Sequence, residues 1–169
     1  TIGLIGGRGA IGSKVSEMAR VFGMKVVITS RSSKPCEGAE VVSMDELLGR
    51  SDFVSVHCPL NSETRKSIGR PHFEKMKTGA FLINTARGGI INEEELCDAL
   101  EQDVIAGAGL DVQESEPPAE GSRLWRLAQK NCLLTPHIGW QRVETRQRLV
   151  DSVALNITQF LKGEPTNVV

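Results

Sequence analysis

The chain has 169 residues, 40% of them apolar and 24% charged, with a formal net charge of −1; this is the size and make-up of one globular domain. A near-neutral balance without a block of like charge excludes a nucleic-acid footprint and a basic membrane face, which leaves small molecules as the expected partners. The longest apolar runs are of strand length, far short of the roughly 20 residues that cross a bilayer, and Cys36, Cys58, Cys97 and Cys132 lack the paired spacing of a zinc site, so no metal is expected and they read as reduced thiols of a cytoplasmic protein.

Thr1 stands where a Met would start a complete chain, and a strand begins at once, so the sequence reads as a piece of a longer polypeptide. Short apolar runs bounded by Gly, Pro, Asn or Ser predict strands over 2–5, 25–29, 53–57, 80–84, 105–110 and 132–135. Amphipathic stretches between them predict helices over 11–22, 44–48, 71–76, 93–102 and 122–129. A final helix is predicted over 143–161, stopping at Lys162-Gly163 with Pro165 just beyond. Regular alternation of this kind predicts an α/β fold: a doubly wound parallel sheet with helices on both faces, in three layers.

Between the first strand and the first helix lies Gly7-x-Gly9-x-x-Gly12, the fingerprint of a Rossmann-type dinucleotide site. Gly7 is expected to permit the tight turn, Gly9 to let the backbone approach a pyrophosphate, and Gly12 to allow close packing of helix on strand. The helix start at Ala10, Ile11 and Gly12 offers N–H groups and a positive dipole end to the phosphates. Three glycines serving only the turn is the plainer alternative. The second strand ends in Thr29-Ser30-Arg31-Ser32, with no acid to hold the ribose hydroxyls. Ser30, Arg31 and Ser32 fit a 2′-phosphate instead, so NADP is favoured and NAD is the alternative; a solvated loop arginine would look the same.

Ligands of an open parallel sheet bind beyond the carboxyl ends of its strands. Those ends deliver Thr85-Ala86-Arg87-Gly88, Asp111 and Pro136-His137-Ile138-Gly139. Arg87, followed by two glycines, suits a carboxylate through two hydrogen bonds or a surface ion pair. His137 suits proton transfer near neutrality, although an isolated loop histidine is often inert. Glu116, before Pro117-Pro118, suits either a partner of that imidazole or a local cap.

The glycine turn, His57-Cys-Pro-Leu-Asn-Ser-Glu-Thr, Met76-Lys-Thr-Gly-Ala-Phe-Leu-Ile-Asn-Thr-Ala-Arg-Gly-Gly, Gly109-Leu-Asp-Val-Gln-Glu-Ser-Glu-Pro and Leu134-Thr-Pro-His-Ile-Gly appear in that order over nearly the whole chain. The set resembles the D-isomer-specific 2-hydroxyacid dehydrogenases. That resemblance implies hydride transfer between NAD(P)H and a 2-keto acid. It assigns the substrate carboxylate to Arg87, acid-base work to His137, its partner to Glu116 and the nicotinamide carboxamide to Asp111. It also implies a cofactor cleft that includes Cys58, Pro59, Thr85, Ala86, His137 and Gly139. Trp140, where many relatives carry a small residue, is similar to the glycerate dehydrogenase and hydroxypyruvate or glyoxylate reductase branch. Its indole either narrows the substrate site or packs beneath the final helix.

The resemblance further implies a homodimer for the full-length protein. It implies that the segment from about 143 returns to a substrate domain lying outside these residues, so that residues 1–169 bind cofactor with little or no turnover. A cofactor-sensing corepressor and a phosphoglycerate dehydrogenase are the competing readings within the same family.

Overall fold

The computed structural model describes residues 1–30 and 34–168. It divides into two compact units, Thr1–Pro136 and His137–Val169.

The first unit is built on strands β1 (Ile2–Ile5), β2 (Val26–Thr29), β3 (Glu40–Val41), β4 (Phe53–Val56), β5 (Phe81–Asn84), β6 (Gly107–Leu110) and β7 (Cys132–Leu134). They form one sheet in the order β3-β2-β1-β4-β5-β6-β7, and every pairing is parallel. The chain runs outward from β1 to β3 and then crosses back to β4, so the order reverses between β1 and β4, where such sheets open a crevice.

Helices α1 (Ala10–Val21), α2 (Met44–Arg50), α3 (Arg70–Phe73), α4 (Glu93–Glu101) and α5 (Arg123–Leu127) cover the sheet. Alternate strand residues point to opposite faces, and the core divides accordingly. Ile2, Leu4, Val26 and Ile28 pack with Ala19 of α1. On the other face Val27, Val54, Val56 and Leu82 join Leu47 and Leu48 of α2, Phe73 of α3, Leu96 and Leu100 of α4, and Leu124 of α5. Each fully buried side chain of this size contributes about 2 kcal/mol. On the α1 face, Phe53 and Phe81 sit opposite each other in register and stack at 5.7 Å.

Three features depart from the sequence expectation. Strand β3 pairs with β2 at Glu40 and Val41, and so short a segment makes no apolar run. The run at Ile105 enters the core before ladder pairing begins at Gly107. Residues Gly88–Ile90 form a 3-10 turn where the sequence assigned no element.

In the second unit α6 (Val143–Leu161) follows the predicted bounds. Gly163, at φ +78°, ends it, and Glu164 N–H donates back to the Gln159 carbonyl at 3.0 Å, as expected of a left-handed glycine cap. Among the described residues no helix is long and apolar enough to cross a membrane.

Candidate functional site

The crevice at the β1/β4 switch starts from the glycine turn. Gly6, at φ +84°, makes the left-handed turn out of β1, and a Cβ there would stand 2.9 Å from both Cys58 N and the His57 carbonyl. Gly7 lies within the tight turn as expected, which the Gly9 N–H closes by donating to the Gly6 carbonyl at 3.0 Å, while the positive φ falls on Gly6. Gly7 lies under β2, where a Cβ would come within 2.5 Å of Ile28 Cγ2. Gly12 behaves as expected, since a Cβ there would lie 2.7 Å from the Gly6 carbonyl oxygen and 2.8 Å from Gly7 Cα.

Gly9 is the N-cap of α1, with no side chain capping the helix and no acid in its first turn. Other helices of the same unit differ. Ser43 and Glu46 close a reciprocal capping box on α2, whose first turn carries Asp45 and Glu46. Asn92 caps α4, whose first turn carries three glutamates. Unlike the starts of α2 and α4, the start of α1 is left without a side-chain cap or an acid, and a pyrophosphate fits it electrostatically.

Two cavities flank this turn. One of about 660 Å³ is lined by Gly6, Arg8, Gly9, Thr29, Ser30 and His57, among others. A second, of about 470 Å³, is lined by Ala10, Ile11, Leu60, Thr85, Ala86 and Arg87, among others. His57, Cys58 and Pro59 border both, so the ledge after β4 runs between them. The cleft extends from the end of β2 to the end of β5, an elongated shape suited to a dinucleotide.

The cleft therefore gathers the predicted Gly9, Ala10, Ile11, Ser30, Cys58, Pro59, Thr85, Ala86 and Arg87. Arg31 and Ser32 lie outside the described residues. The His57 imidazole is held below its usual pKa by burial, and its Nε2 is 3.0 Å from Ser55 Oγ. Burial also pushes the Cys58 thiol up, which argues against a nucleophilic role.

Arg87 is presented by Asn84, which the sequence reading passed over as a strand end. Asn84 is 1% exposed; its Oδ1 accepts from Ala86 N–H at 3.0 Å, and its Nδ2 donates to the Arg87 carbonyl at 3.0 Å. This side-chain turn fixes the backbone on either side of Arg87, whose Nη1 donates to the Ala86 carbonyl at 2.7 Å. Gly88 is pressed against the Gln113–Glu114 backbone so closely that a Cβ would overlap it. The Arg87 loop and the loop carrying Glu116 are thereby keyed together. An Asn two residues before Ala-Arg is a turn signal that could have been read from sequence; the Gly88 contact could not.

Asp111 is 8% exposed at the carboxyl end of β6, and Thr135 Oγ1 donates to its Oδ1 at 2.5 Å. Glu116 Oε1 accepts from Gln113 N–H at 3.1 Å, the local cap that the sequence left open as one of two readings. Gln113 Nε2 donates to the Leu110 and Thr135 carbonyls at 3.4 and 3.5 Å, joining the ends of β6 and β7. His72 and His57 apart, the remaining histidine is His137, which belongs to the second unit with Gly139 and Trp140. His137 takes a left-handed backbone, φ +54°. Trp140 is half exposed, with the Arg146 guanidinium 6.0 Å from its ring centroid, a cation-π distance.

Comparison with known proteins agrees with this fold. The chain is 42% identical over 171 residues to a hydroxypyruvate reductase of Blautia hydrogenotrophica, covering 99% of this chain and 52% of that protein. It is 44% identical over 174 residues to a glyoxylate reductase of Thermococcus litoralis, covering 100% and 51%. An acyclic imino acid reductase solved in complex with NADPH and D-Arg superposes with a TM-score of 0.91 at 36% identity, covering 99% of this chain and 53% of that one. The chain spans about half the length of the curated relatives it matches. The model for the D-isomer specific 2-hydroxyacid dehydrogenase, NAD binding domain, matches residues 1–139, and the chain belongs to that family.

Proposed function

We propose that this chain is the cofactor-binding half of an NAD(P)-dependent oxidoreductase that interconverts a small 2-keto acid, such as hydroxypyruvate or glyoxylate, and its D-2-hydroxy acid. The observation that carries the reading is the uncapped, acid-free start of α1 behind the glycine turn, opening on a cleft that continues to Arg87. The nicotinamide supplies or accepts the hydride when bound.

The chain's residues then divide the remaining work. The glycine turn and the first amides of α1 hold the pyrophosphate. Asp111 accepts a hydrogen bond from the carboxamide. Arg87 binds the substrate carboxylate and stabilises negative charge as it develops on the keto oxygen. His137, as imidazolium, delivers a proton to that oxygen, with Glu116 as its partner. Trp140 narrows the substrate site toward small acids.

NADP is the favoured cofactor in this reading. No acid closes β2, and Ser30 and Arg8 line the same cavity, so Arg8 adds a second cation to the Arg31 charge and to the Ser30 and Ser32 hydroxyls expected there. The greater length of the relatives supports a substrate-binding half outside these residues, to which the segment from about 143 leads. A cytoplasmic homodimer acting on a small acid completes the proposal.

Titration of NADPH and NADH into wild type and Arg31→Ala tests the cofactor assignment. Tighter NADPH binding, lost in the variant, is expected. Equal or tighter NADH binding overturns the NADP preference alone, and binding of neither overturns the cofactor site.

A further inference from the structure

We propose that Thr135 is a positioning residue for the nicotinamide end of the cofactor, acting through Asp111. The inference rests on the reading above that Asp111 accepts from the carboxamide. Thr135 follows β7 directly, and three hydrogen bonds seat it on the end of β6. Its N–H donates to the Leu110 carbonyl at 3.0 Å, its hydroxyl donates to Asp111 Oδ1 at 2.5 Å, and its carbonyl accepts from Gln113 Nε2 at 3.5 Å. The Asp111 backbone is anchored as well, its N–H donating to the Asn84 carbonyl at 3.0 Å.

With both backbones fixed, the direction of the Asp111 oxygens is set by rotation about the carboxylate's own terminal bond, a broad and soft torsion. The Thr135 hydroxyl restrains it. A carboxylate only accepts, so the hydroxyl must donate, and a bond from O–H to a charged oxygen is short and strong. Threonine is β-branched and stiff at χ1, which keeps the hydroxyl aimed at Oδ1. A carboxylate held in one plane presents its oxygens in fixed directions, as recognition of a planar carboxamide requires. The mostly buried Asp111 gains little orientation from bulk water, so protein donors such as this hydroxyl set its direction.

The test compares Thr135→Val, Thr135→Ser and Asp111→Asn in the purified protein. The readout is dissociation constants for NADPH and for ADP-ribose, which reaches the glycine turn but has no nicotinamide. Valine keeps the shape and removes the donor; serine restores it. The expected result is NADPH binding about tenfold weaker in Thr135→Val, ADP-ribose binding within about twofold of wild type, and near wild-type NADPH binding in Thr135→Ser. Equal weakening of both ligands in Thr135→Val, or of neither, overturns the proposal. If Asp111→Asn weakens NADPH while Thr135→Val does not, the proposal falls and the Asp111 assignment stands. If Asp111→Asn binds NADPH as wild type does, both fall.

Discussion

The two ends of the cleft are built from different materials. At the glycine turn, recognition is made by backbone: Gly6 turns, Gly9 caps, Gly7 and Gly12 vanish beneath their neighbours, and α1 offers its amides. At the ends of β5, β6 and β7, side chains hold other side chains: Asn84 around Arg87, Thr135 on Asp111, and Gln113 across Leu110 and Thr135. A backbone site fails by steric overlap, whereas a side-chain frame loosens by degrees. That difference orders the expected effects of mutation.

The largest effect belongs to Gly12→Val. Its branches would meet main-chain atoms of Gly6 and Gly7 that cannot move aside, so overpacking should cost about 3 kcal/mol and abolish cofactor binding. Urea unfolding read beside an NADPH titration checks it; a stable variant that still binds would erase the contrast between the two ends. Asn84→Ala comes next, because it strands a partly buried N–H and C=O at the Arg87 turn. The expected cost is about 2 kcal/mol in urea unfolding, with weaker binding at the Arg87 end of the cleft.

Gln113→Met should cost less, about 1 kcal/mol, since its two amide bonds are long and methionine fills the same space. A loss as large as that of Asn84→Ala would show that the β6 and β7 ends form one rigid unit rather than a graded frame. The smallest effect is a pH dependence at the ledge shared by both cavities. Burial holds the folded His57 imidazole below 6.5, so the unfolded chain takes up the proton first. The contribution of His57 to stability is complete above about pH 6.5 and lost as pH falls through the lower folded value. Unfolding midpoints between pH 7.5 and 5 should decline, and His57→Gln should flatten that decline.

The same contrast explains what could be read in advance. Gly12 was legible because no other residue allows such close approach, and the alternation of runs predicted six of the seven strands. The turn that includes Gly7 was legible too, but a run of two glycines does not say which of them takes positive φ, and the structure gives it to Gly6. Arg87 was identified from its motif, but its presentation by Asn84 was missed because that hydrogen-bonded turn exists only once β5 delivers Asn84 to a buried position.

By itself the sequence determined the parallel α/β architecture, the helix that ends at Gly163 and the residue types able to bind a dinucleotide and a carboxylate. These follow from hydrophobic periodicity and from the steric freedom of glycine, both of which act over a few neighbouring residues. The tertiary structure alone decided which end of which helix stays open to an anion, and which buried polar groups hold Asp111, Glu116 and Arg87 in place. Those outcomes depend on strand order and register, which bring Asn84, Leu110 and Thr135 side by side from positions far apart along the chain. No local pattern carries that information.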